Sequence, residues 1–106
     1  MEMKLYRIEK DAENGVWYDR NGNFCLADES LAFLPMPSEP SVYKGIYKSS
    51  CASVEELLYW LPEHVQERLK AMGYKLVEYE SDDYFSRDHG EVCFNKLTAK
   101  RRVLGQ

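Results

Sequence analysis

The sequence predicts a single α+β domain over residues 1–106, with a mostly antiparallel sheet packed on two short helices. Three observations predict it. A capped stretch with helical spacing fills 53–72, alternating apolar segments lie on either side of it, and Asn21-Gly22 marks a tight turn near the N-terminus. The chain is 44% apolar and 30% charged, a balance that supports one folded core and excludes a disordered chain.

The first element is "MKLYRIE" (3–9), a strand in which Tyr6 and Ile8 alternate with Leu5, Arg7 and Glu9. "GVWYDRNGNFCLA" (15–27) reads as a hairpin, because Asn and Gly both tolerate the positive φ of a two-residue type I′ turn. That turn pairs Asp19 with Phe24, Tyr18 with Cys25 and Trp17 with Leu26. "LPMPSEPS" then excludes a central strand or a helix interior, since proline lacks the N–H that either needs. A short strand is expected at 42–47, followed by a loop through "SSCAS" (49–53).

Ser53 with Glu56 three residues on forms a capping box. Val54, Leu57, Leu58, Leu61, Val65, Leu69 and Met72 make an apolar stripe behind it. Pro62 divides the stripe into two helices, 54–61 and 63–72, and Gly73 ends the second. "YKLVEYE" (74–80) is the next strand, "SDDYFSRDHG" (81–90) a loop, and "EVCFN" (91–95) a strand. The last residues read as a short helix or a frayed strand.

The formal net charge is −4, distributed as −2 over 1–52, −6 over 53–91 and +4 over 92–106. Lys100, Arg101 and Arg102 form one short patch that reads as a solvated tail, so direct nucleic-acid binding is not expected. No run approaches the roughly 18 apolar residues of a membrane span, and the N-terminus has no secretory pattern, so the expected location is the cytoplasm. Cys25, Cys51 and Cys93 are widely spaced with no CxxC, and read as reduced, buried thiols with no metal site. Cys51 is the one candidate for a reactive thiol, ahead of a helix N-terminus. His64 reads as a surface residue, and His89 sits in a loop without a second His or Cys nearby. The chain has no Gly-rich phosphate loop, no GxSxG and no HExxH.

Arg7 on the opening strand, the serines of "SSCAS" and Glu91 at the start of "EVCFN" stand in a telling order. The order resembles the Arg–Ser–Glu pattern of mono-ADP-ribosyltransferases. The resemblance implies that Arg7 holds the phosphates of NAD, that Ser49 orders the nicotinamide pocket, and that Glu91 stabilises the ribosyl cation. Members of that family often carry Glu or Gln two residues before the catalytic Glu; here His89 stands there. Read without the resemblance, Arg7 pairs across the sheet with Glu78 or Glu80, the serines build a turn and a cap, and Glu91 faces water at a strand start.

The chain as a whole resembles a family of small phage- and prophage-encoded proteins, mostly without assigned function. The residues that carry it are "KLYRIE", "SVEELLYWLPEHVQERLKAMGYKLVEYE" and "GEVCFN". Genes of this size and setting often encode inhibitors of host defence, anti-CRISPR proteins among them. The resemblance therefore implies a non-enzymatic protein without cofactor that binds and blocks a host protein or nucleoprotein. The expected contact residues are Asp82, Asp83, Tyr84, Phe85 and Asp88, with Tyr43 and Tyr47 nearby, because clustered charge beside aromatic anchors suits an interface. The transferase with NAD is the alternative.

Overall fold

A computed structural model of the chain describes residues 2–12, 14–18, 26–35 and 46–105. The Asn21-Gly22 turn, Cys25, Tyr43 and most of the proline-rich run lie outside the described residues. The architecture is the expected α+β: a six-stranded antiparallel sheet with two helices. The strands are β1 (Met3–Glu9), β2 (Tyr47–Cys51), β3 (Lys75–Ser81), β4 (Tyr84–Ser86), β5 (Glu91–Asn95) and β6 (Lys100–Gly105). Their order across the sheet is β4-β5-β2-β1-β3-β6.

The helices form where local chemistry dictates. Ser53 caps α1 (Val54–Trp60), its Oγ accepting from the Glu56 backbone N–H at 3.2 Å and donating to the Glu56 carboxylate at 3.0 Å. Pro62 is the N-cap of α2 (Glu63–Ala71), where its missing N–H costs nothing. Gly73, at φ +95°, ends α2. The Tyr74 N–H returns to Leu69 O and the Gly73 N–H to Lys70 O, which is a Schellman cap. The buried stripe is Leu57, Trp60, Leu61, Val65 and Leu69. Val54, Leu58 and Met72, expected within it, are each more than 40% exposed, and Trp60 takes the place read for Leu58.

This stripe packs with Ile8, Val16, Leu31 and Cys51 into one core. A second cluster, Leu5, Val77, Tyr79, Val92 and Phe94, is equally buried. Leu5 and Ile8 point to opposite sides of β1, so the sheet is apolar on both faces and not on one as the alternation implied.

Three segments differ from expectation. "SSCAS" is not a loop: Tyr47–Cys51 pairs with β5 over five positions, Ser49 opposite Cys93 and Cys51 opposite Glu91. Within the expected loop 81–90, Tyr84–Ser86 pairs with β5 as an edge strand, and Asp88–Gly90 forms a single 3₁₀ turn. Residues 100–105 are a full strand on β3 and not a tail. In the predicted hairpin, the Ala27 N–H donates to Val16 O at 3.0 Å, on the expected register, but Val16 and Trp17 are bends and not strand. The joins between neighbours are uneven. β1 and β3 pair over seven positions, whereas β1 and β2 pair through Tyr6 and Cys51 among the described residues.

Candidate functional site

Two buried carboxylates organise the polar interior. Glu9, at the end of β1, is 1% exposed. It accepts from the Tyr79 hydroxyl at 3.0 and 3.1 Å and from Arg101 Nε at 2.7 Å, and lies 3.0 Å from Arg7 Nε. Arg7 is thus paired with Glu9 on its own strand, and not with Glu78 or Glu80 across the sheet; the register puts Val77 opposite Arg7 and sets Glu78 and Glu80 opposite Tyr6 and Lys4, on the other face. Arg101, expected in a solvated tail, is brought to Glu9 by β6. Burial, followed by the Glu9 charge, pushes the Tyr79 phenol up to about 12. Gly15 makes the arrangement possible. A Cβ there would overlap the Arg7 guanidinium, so only glycine lets the side chain lie across that backbone.

The second carboxylate is Glu91, the first residue of β5 and 4% exposed. It is therefore not a water-facing residue at a strand start. β2 covers it from one side, where the Ser49 Oγ donates to Glu91 Oε2 at 2.7 Å. Arg87, four residues earlier, approaches its other oxygen at 3.7 Å, while the Arg87 N–H donates to Glu91 O at 2.7 Å. Arg7 closes the set, donating from one terminal nitrogen to Ser49 O at 3.2 Å. Arg7, Ser49 and Glu91 are thus linked across three neighbouring strands, although each is 42 positions from the next in sequence.

The turn that delivers Glu91 is held from α1. His89 sits in the left-handed region at φ 57°, ψ 39°, which costs a non-glycine residue on the order of 1 kcal/mol. Its ring stacks on Tyr59 at 4.4 Å and 12°, and its carbonyl accepts from Trp60 Nε1 at 3.2 Å. Gly90 follows at φ +75°, with the Glu56 side chain packed where a Cβ would stand. Cys51, paired opposite Glu91, is a buried free thiol. Burial, then the Glu56 and Glu91 charges, pushes it up to about 12, so it is not the reactive thiol that its place before a helix implied. Cys93 is likewise a buried thiol in no disulfide, its Sγ donating to Glu91 Oε2 at 3.8 Å.

The expected contact residues divide. Asp82, Phe85 and Asp88 are exposed, along and beside the β4 edge. Asp83 instead turns inward, accepting from the Tyr47 hydroxyl at 2.8 Å and from Asn95 Nδ2 at 3.0 Å. Tyr84 packs against the second core cluster, and Tyr47 lies against Phe85 with ring centroids 5.5 Å apart. Sequence reading missed Glu9, Tyr79, Arg101, Arg87 and Gly15 as members of the polar interior. Of these, only Arg87, four residues before Glu91, carries a local signal.

Among the described residues no group of three or more His, Cys, Asp or Glu side chains is placed to hold a metal, and no helix is long and apolar enough to cross a membrane. Neither a curated protein nor a solved structure matches the chain. A family described as Bacteriophage T4 Y00F protein matches residues 3–103, nearly the whole chain and all three segments on which the phage resemblance rests, and the chain belongs to that phage protein family, which has no assigned function.

Proposed function

We propose that this phage protein binds NAD at Arg7, Ser49 and Glu91 and transfers its ADP-ribose group, in the manner of mono-ADP-ribosyltransferases. One observation carries the reading: three residues marked out by their order alone form a continuous contact chain across β1, β2 and β5. The chemistry follows from the side chains. The bond between nicotinamide and ribose breaks with its electron pair leaving on nicotinamide, and positive charge develops on the ribose. The Glu91 carboxylate stabilises that charge, in a site dry enough to make the effect large. Ser49 fixes the carboxylate by its 2.7 Å hydrogen bond, and Arg7, held by Ser49 O and Glu9, supplies positive charge that attracts phosphate oxygens. A nucleophile on the target then takes the ribosyl carbon. The reaction would take place in the bacterial cytoplasm, where NAD is plentiful.

The test is nicotinamide release from NAD. Wild-type protein is expected to release it, and Glu91→Gln to lower the rate by about 10²–10³-fold with the far-UV spectrum unchanged, the loss typical for removing an electrostatic stabiliser. No release by the wild type, or equal release by the variant, sinks the reading.

A second reading is favoured by the exposure of Asp82, Phe85 and Asp88 on one sheet edge: stoichiometric binding that blocks a host protein or nucleoprotein, such as a CRISPR effector. Asp83 is already engaged within the fold, so the clean probe is Asp82→Lys with Asp88→Lys. A host partner recovered with the wild type and retained equally by the double variant would rule this surface out.

A further inference from the structure

A cavity of about 30 Å³ opens between β1, β2 and α1, beneath the segment 15–18. A single water needs roughly 10–15 Å³, so the space admits a group of two or three heavy atoms. Its apolar wall is made by Ile8, Leu57 and the two tryptophans, Trp17 and Trp60, whose rings meet edge to face at 6.5 Å. Its polar wall includes Arg7 and Lys48, both buried, beside Tyr18, Ser49 and Ser50, and no carboxylate is among the described lining residues.

Two lining residues hold buried N–H groups without a hydrogen-bond acceptor, Trp17 Nε1 and Arg7 Nε. The latter lies 3.0 Å from Glu9 as an ion pair, but off the line of a hydrogen bond. A buried donor left unmade is costly, so native proteins nearly always supply an acceptor. Arg7 and Lys48 bring two cationic side chains to the cavity wall. We propose that the cavity is a binding site for a small carboxylate, free or as the end group of a larger ligand. Its two oxygens would accept from Trp17 and Arg7, and its apolar side would rest on Trp60. NAD carries no carboxylate, so this site does not depend on the transferase reading, although both draw on Arg7.

The chain has two tryptophans, and both line the cavity, so occupancy has a direct reporter. The probe is sodium formate, titrated against sodium chloride at equal ionic strength. Formate is expected to change the tryptophan fluorescence saturably, and Trp17→Phe, which keeps the ring and removes the N–H, to weaken that binding at least tenfold while Trp60 still reports. A second measurement needs no variant. In a ¹H–¹⁵N spectrum of the wild type, formate should shift the Trp17 indole signal and leave that of Trp60, which is bonded to His89 O, nearly fixed. No saturable response, an equal response to chloride, undiminished binding by Trp17→Phe, or equal shifts of both indoles would each overturn the proposal and leave water as the occupant.

Discussion

Glu9 and Glu91 are both buried carboxylates on strands, but the cations that face them stand at different distances. Glu9 is saturated: two arginines and a phenol converge on it within 3.1 Å, from β1, β3 and β6. Glu91 accepts from the Ser49 hydroxyl at 2.7 Å and from the Cys93 thiol at 3.8 Å, and faces Arg87 Nε at 3.7 Å. The closer its cations stand, the more the neutralisation of a buried carboxylate should cost the fold. In the function proposed above Glu91 is the carboxylate that acts on the ligand, and its approach turn holds a left-handed non-glycine residue.

The sharpest way to break this contrast is to neutralise each carboxylate in turn. Glu9→Gln leaves two arginines without their counter-charge, and should cost about 3–5 kcal/mol of unfolding free energy, as breaking a buried pair from one side does. Urea denaturation measures it. Glu91→Gln keeps an oxygen for Ser49 and removes the charge that faces Arg87 at 3.7 Å, a longer approach than either arginine makes to Glu9, so its stability loss should be the smaller of the two. Equal losses in the two variants would abolish the distinction.

The pH dependence sharpens the same point. The Tyr79 phenol is held at about 12 in the folded protein, above its ordinary value near 10. The unfolded chain therefore gives up this proton first, and folding stability is complete below pH 10 and lost as pH rises towards 12. The loss is on the order of 2 kcal/mol, read from alkaline unfolding curves, and Tyr79→Phe should remove that component. The smallest effect concerns Cys51. With its thiol near 12, iodoacetamide at pH 8 should label it far more slowly than in urea, and mass spectrometry of the labelled peptide gives the ratio.

How much of this was legible in the chain depends on the range of the cause. The helices, their cap at Ser53 and their ends at Pro62 and Gly73 were readable because each signal acts within four residues. β4 was not, because three residues of strand inside a polar run carry no period. β6 was legible only as one of two alternatives, a short helix or a frayed strand, because every one of its residues is exposed and no alternation marks it; pairing with β3 makes it a strand. The site divides in the same way. Arg7, Ser49 and Glu91 were visible as an order, but their contact comes from strand register. Arg101 reaches Glu9 across 92 residues, and nothing near either position foretells it.

The join between β1 and β2 has a dynamic consequence. On one side of it stand β1, β3 and β6, and on the other β2, β5 and β4; Tyr6 and Cys51 are their ladder contact among the described residues. Amide hydrogens there should exchange through a subglobal opening, whereas those of Leu5 and Tyr79, inside the seven-position β1–β3 ladder, should await global unfolding. Such an opening would part the half that holds Glu9 from the half that holds Glu91. Arg7, reaching from one half to the Ser49 carbonyl of the other, is the rivet that sets how often it happens.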